Sequence, residues 1–288
     1  MTLETVISAK AKDIGGFSVR RALPAIERRM IGPFIFLDQI GPAIIQAGQG
    51  LDVRPHPHIG LSTMTYLYEG AIMHRDSLGT VQEITPGAVN WMTAGRGITH
   101  SERTPDELRR SGHTLSGIQF WVALPKSDEE AAPSFVHLGR DQLPTWRSDG
   151  VEFRLIAGAM DGRKSPLVAP YPMICTDIRL DPDAVVRVPA DWPERGIYVS
   201  GGEVEIGGER FSEGQLLVLQ PGRDAHLSAS GPTRLMLLGG DPMDGPRHIW
   251  WNFVSSSKDR IEQAKADWKQ RNFPPVPQET EFIPLPEY

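Results

Sequence analysis

The sequence predicts an all-β protein closed by one helix, and three observations carry the prediction. Short apolar runs recur along the whole chain. Turn signals such as "EGA", "LGT", "PGA", "EGQ" and "PGR" separate them. Glycine (29) and proline (25) are abundant without a collagen-like period, so they punctuate strands rather than build a repeat of their own.

In the first half the strand candidates are "FSVRRAL", "FIFLDQI", "STMTYLY", "VQEI", "AVNWMTA" and "GIQFWVALP". In the second they are "VEFRLIAGA", "MICTDIRL", "AVVRVP", "GIYVSGGEVEI", "LLVLQ" and "RLMLLGG". A polar, proline-containing stretch lies between them and places a domain boundary near 135–148. The helix falls in "SSSKDRIEQAKADWKQRNF", with Ser256 and Asp259 as a capping pair and Ile261, Ala264 and Trp268 on one face. The tail "FPPVPQETEFIPLPEY" reads as extended and should dock on the body or on another subunit through Phe282, Ile283 and Leu285. A faint internal repeat relates the halves: strand, glycine turn, strand, glycine, apolar strand, histidine, ending at His100 in one and His226 in the other.

With 288 residues, the chain can bury a large core without staples. A net charge of -6 without a dense Lys/Arg run argues against direct nucleic-acid binding. Cys175 is the single cysteine, which excludes an intramolecular disulfide and fits a reducing cytosol; its apolar surroundings read as core. The N-terminus has no signal-peptide pattern, and no apolar run reaches membrane-spanning length. A cytoplasmic protein without membrane contact is the expectation.

The chemistry concentrates in two short motifs. In "RPHPHIG", His56 and His58 are two apart, so on a strand both imidazoles project to one face; Pro55 and Pro57 favour the extended backbone this needs. In "TAGRGITHSER", His100 and Glu102 repeat the spacing. A lone HxH is more often a hydrogen-bonded pair than a ligand pair. Two such pairs in glycine-rich strand settings can instead surround one ion. Three imidazoles and a carboxylate suit Fe, Mn, Ni, Cu or Zn, and the absence of thiolates argues against a structural zinc site.

"GLDVRPHPH" and "PGAVNWMTAGRGITHSE" resemble the two cupin motifs in the form seen in pirins, with "GPFIFLDQIGP" before and "GIQFWVALP" after. The resemblance implies a bicupin of two tandem jelly-roll β-barrels: residues 1–140 as the metal-binding cupin domain, and 141–288 as a degenerate cupin domain with the C-terminal helix and tail. It implies one divalent metal, normally Fe(II), on His56, His58, His100 and Glu102. Ser62 stands where the general cupin motif has a glutamate, so the carboxylate ligand would be Glu102. In the second half Arg187 and Pro189 align with His56 and His58; neither ligates, and no metal is expected there. His226 then reads as a hydrogen-bonded structural histidine.

Other side chains carry weaker expectations. His74 reads as a solvated turn residue and His113 as exposed. His137 and His248 have no evident partner. Gln119, alternating with Ile118 and Phe120, should point into the barrel. Trp250 and Trp251 should pack in the core.

The pirin resemblance implies an oxygenase of the quercetin 2,3-dioxygenase type. Its substrates would be a small aromatic enol or phenol and O2, with Glu102 as ligand or general base and Met64, Ile98 and Phe120 lining the mouth. The alternatives are a redox-sensing regulator that binds a protein partner, and a bicupin whose metal is only structural.

Overall fold

Period-two alternation folds the apolar runs into strands, and glycines at positive φ turn the chain between them. The computed structural model describes residues 2–14 and 17–287. The chain passes through β1 (Leu3–Ser8), β2 (Lys10–Asp13), β3 (Ser18–Leu23) and β4 (Phe34–Ile45). Next come β5 (Asp52–His58), β6 (Leu61–Glu69), β7 (Ile72–Asp76), β8 (Val81–Ile84), β9 (Val89–Thr93) and β10 (Ile98–Arg103). After α1 (Asp106–Ser111) follow β11 (His113–Ala123), β12 (Ser134–Leu138), β13 (Thr145–Ser148), β14 (Val151–Ala157), β15 (Ala159–Met160) and β16 (Arg163–Lys164). The second half continues with β17 (Met173–Leu180), β18 (Val185–Val188), β19 (Glu194–Gly201), β20 (Glu203–Ile206), β21 (Glu209–Ser212) and β22 (Gln215–Leu219). The last elements are β23 (Ala225–Ser228), β24 (Thr233–Gly240), β25 (His248–Trp250), β26 (Phe253–Ser255) and α2 (Lys258–Lys269). No described helix is long and apolar enough to cross a membrane.

The chain divides into two units, and they are not its two halves. The first takes the N-terminal residues up to Lys12, Arg20–Gln39 and Asp141–Met243; the second takes Asp13–Val19, Ile40–Arg140 and everything from Asp244. One break between them falls between residues 140 and 141. The N-terminal strand, however, pairs with β22, and the C-terminal helix groups with residues before 140.

In the first unit a seven-stranded sheet has the order β1-β22-β19-β24-β17-β14-β13, and a four-stranded sheet the order β18-β23-β20-β21. Val186, Val188, Ala225 and Leu227 of the small sheet are buried with Ile197, Leu217 and Leu235 of the large one. Arg187 pairs in register with His226, as His56 pairs with His100, so the repeat is real at the level of register. The faces differ. Arg187 and His226 are exposed, and their apolar neighbours fill the interior. His226 is therefore a surface residue rather than a structural one. Cys175 lies on the other face of β17, fully buried with its Sγ 3.7 Å from Met236 Sδ, and burial pushes its thiol far up.

In the second unit β5-β10-β7-β8 form a four-stranded sheet, and β12-β9-β6-β11-β4 run in order in a larger one. Leu67, Ile72, Ile84 and Leu115 pack an apolar layer. The residues from Asp244 onward add a second cluster. Ile261, Ala264 and Trp268 of α2 bury against Ile59 and Phe253, with Phe282 and Leu285 of the tail packed alongside. The tail thus docks on the body. Gly60 permits this approach: at φ +65 its missing Cβ would lie 2.0 Å from the Val254 carbonyl oxygen.

Two local features depart from the sequence expectation. The helix cap is Ser257, whose hydroxyl accepts from the Arg260 N–H at 3.3 Å; Ser256 instead bonds the buried Glu129 carboxylate. That carboxylate also pairs with the buried Arg247 at 2.8 Å, so Ser256 is held by a polar network rather than by the helix. The six-residue α1 was not expected, because a helix of that length with no buried residue leaves no periodic signal.

Candidate metal centre

β5 sits at the edge of the four-stranded sheet and pairs antiparallel with β10, setting His56 opposite His100. Alternation then aims His56, His58 and His100 inward. Their ring centroids are 4.3–5.1 Å apart, and one ligating nitrogen from each lies within 4.8 Å of the others. Among the described residues these three form the one group of this kind.

Hydrogen bonds fix two of the rings. His56 Nδ1–H donates to the Arg54 carbonyl at 2.9 Å, and His58 Nδ1–H donates to the Asn252 carbonyl at 3.0 Å. A carbonyl can only accept, so each neutral ring keeps its lone pair on Nε2. The His58 and His100 Nε2 atoms are 3.1 Å apart. Two nitrogens bound at right angles to one ion, each about 2.1 Å from it, would be about 3.0 Å apart. The donor set and its spacing therefore fit a shared cation.

Burial holds the three rings neutral, the state that ligates. It pushes His56 down to about 4 despite the Arg54 hydrogen bond. It drives His58 and His100 well below the ordinary value, with His56 adding repulsion in both. His100 Nδ1 is buried without a partner.

Glu102 follows on β10 but outside that group of mutually close atoms. The β5–β10 register shifts between His100 and Glu102, so Glu102 faces Val53. Its carboxyl accepts from Gln119 Nε2 at 2.9 Å and from Thr65 Oγ1 at 3.5 Å. Burial raises its pKa, against the pull of His74, Gln119 and Thr65. Gln119 points inward as alternation requires.

The same alternation puts Met64 and Phe120 on the other face of their sheet. They pair in register one residue beyond Thr65 and Gln119, so they do not line this site. Ser62 shares their face and bonds Thr93 at 3.0 Å. Ile98 shares the inward face of His100 and is buried with Met92 and Ala94.

Three histidines sit differently from expectation. His74 is buried on β7, not solvated in a turn. Its Nε2 bonds Asp76 at 3.0 Å, and its ring stacks on Phe135 at 4.6 Å and leans on His100 at 5.3 Å. Asp76 is also fully buried, and its second oxygen accepts from the Leu78 and Thr80 amides. Burial pushes the Asp76 pKa up, but the bonds from His74 and Thr80 outweigh it and hold the carboxyl below its usual value. His137 has a partner, Asn90 Oδ1 at 2.7 Å. His113 is half-buried at the start of β11.

Comparison with known proteins places this geometry. The Pirin family model matches residues 16–122, and the model described as Pirin C-terminal cupin domain matches 175–274. A pirin-like protein of Caulobacter vibrioides is 50% identical over 99% of this chain and 100% of its own length. A Pseudomonas aeruginosa protein, provisionally named a quercetin 2,3-dioxygenase, is 42% identical over 92% of this chain and 83% of its own. A crystal structure titled quercetin 2,3-dioxygenase, from Acinetobacter baumannii, matches with TM-score 0.92 at 35% identity, covering 99% of this chain and 95% of that one. With two cupin domains, and with relatives this similar along nearly its whole length, the chain belongs to the pirin family.

Proposed function

We propose that the protein is an iron-dependent dioxygenase of the quercetin 2,3-dioxygenase type, acting on flavonol-like enol or phenol substrates, with His56, His58, His100 and Glu102 as ligands. The observation that carries this reading is the convergence of three neutral, buried Nε2 donors beside a buried carboxyl. The names borne by the Pseudomonas and Acinetobacter proteins support the reaction class. A bound Fe(II) would supply Lewis acidity and a common site for an enolate oxygen and O2.

The protein's own groups do the rest. The Arg54 and Asn252 carbonyls hold two imidazoles with Nε2 inward. Burial excludes water from around the rings. Glu102, swung off the ion, would take the substrate hydroxyl proton, and Gln119 aims it. Gln119→Leu leaves the Glu102 carboxyl without its firmest donor. Metal affinity is expected to fall by about ten-fold or more, the scale on which outer partners of a ligand act, as titration under anaerobic conditions will show.

The deciding experiment is anaerobic loading with Fe(II), then O2 uptake in the presence of quercetin. Turnover with one O2 consumed per flavonol supports the proposal. Full iron occupancy with no uptake removes it.

A further inference from the structure

We infer that tail residues Glu279–Ile283 form a strap that positions the two ligand strands and sets how slowly the centre releases its ion; this rests on the metal reading above. The need for a strap is written in β5. It is an edge strand, it carries His56 and His58, and Pro55 and Pro57 offer no N–H to any ladder. Within its sheet β5 is thus paired on one side only, to β10, and its proline side is left for another segment to hold.

The C-terminal segment supplies what is missing. Ile283 N–H donates to the Pro55 carbonyl at 2.8 Å, next to His56. Val254 N–H donates to the Ile59 carbonyl at 3.2 Å, next to His58. On β10, Ser101 and Arg103 alternate with His100 and Glu102 and so face outward. Both are gripped by one side chain. Glu279 accepts from Ser101 Oγ at 2.7 Å and from Arg103 Nε and Nη2 at 3.1 and 2.5 Å. Glu281 adds a contact to Arg103 at 2.8 Å.

The Glu279 side chain is only 9% exposed, so this forked pair is shielded more than a common surface pair. The strap is anchored behind by the Trp268 indole N–H, which donates to the Ile283 carbonyl at 3.0 Å, and by Phe282, which packs on Trp268. Pro277 and Pro284, which flank the strap, restrict the free tail and lower the entropy lost on docking. A cleft of about 540 Å³ opens beside Glu279, bounded by Met73 and Arg75 of β7 and by α1. Arg103 and Glu279 are thus positioning residues; neither touches the ion.

The test compares wild type with Glu279→Gln and Ile283→Pro. Glu279→Gln weakens the fork, and Ile283→Pro deletes the donor to Pro55. Each protein is loaded with Fe(II) without oxygen, and iron loss to excess chelator is timed. Hydrogen exchange of segments 52–62 and 98–103 is followed in the metal-free proteins. Release about ten-fold faster is expected in both variants. Exchange should rise in those two segments and not in β14 or β17, and Glu279→Asp should restore part of the retention. Wild-type rates in both readouts overturn the strap, and so does an exchange rise spread evenly over the molecule. If wild type takes up no iron, the metal reading fails, and the exchange arm alone then decides for or against the strap.

Discussion

Alanine at His100 leaves a folded protein that no longer holds an ion. The ring is buried against both other candidate histidine ligands, 4.3 Å from His56 and 5.0 Å from His58 between centroids. Its loss removes one of three converging nitrogens and leaves His56 and His58, both on one edge strand, with Glu102 as the remaining donors. The fall in affinity should exceed the roughly 100-fold that outer partners of a ligand control. Stability changes less than for a typical buried ring. A large-to-small change leaves a cavity, but here it also removes Nδ1, a buried polar atom without a partner. A net loss of about 2 kcal/mol is expected from these opposed effects. Metal analysis after gel filtration and thermal unfolding in the same buffer check both halves. An alanine variant that keeps a full complement of iron would remove His100 from the site.

The metal-free protein should be destabilised sharply by mild acid. His56 titrates at about 4 in the folded protein, against an ordinary value of 6.5. Between these values the unfolded chain carries a proton that the folded chain refuses, so stability falls as pH drops through the window and is complete above it. For His56 alone this is about 3 kcal/mol. His58 and His100 are shifted in the same direction and add to the slope. Glu102 opposes them: its raised pKa lets the folded state hold a proton that the unfolded state sheds, which favours folding as pH falls. Three groups outweigh one. A bound divalent ion holds the rings deprotonated, so the loaded protein should resist acid better until protons displace the metal. Denaturant midpoints from pH 7.5 to 5, with and without Fe(II), measure this, and a flat metal-free profile would contradict it.

Much of the site was legible because alternation on a strand is a strict rule. HxH and HxE each declare two side chains on one face, and both pairs do face inward. The same rule, applied to the end, settles Gln119 and Phe120: neighbours on one strand cannot both enter the barrel, and the amide is the one that does. What the sequence hid has physical reasons. "MHRDSLG" has the composition of a turn, yet His74 and Asp76 are buried because each satisfies the other. Backbone carbonyls leave no mark in a sequence, so Arg54 and Asn252 could not be named as the groups that orient His56 and His58. Asn252 lies 194 residues from its ring. Nor does a degenerate repeat announce which face it turns inward: Arg187 and His226 keep the register of the ligand pair but point to solvent.

Pro55 and Pro57 also keep β5 from recruiting strangers. An edge strand normally offers free N–H and C=O groups to any extended chain that drifts past, the route by which sheet proteins aggregate. β5 offers few. Two of its seven residues have no donor, and Ile283 already occupies the Pro55 carbonyl. The strand bearing two of the three histidines is therefore a poor template for intermolecular sheet growth, with or without an ion in place.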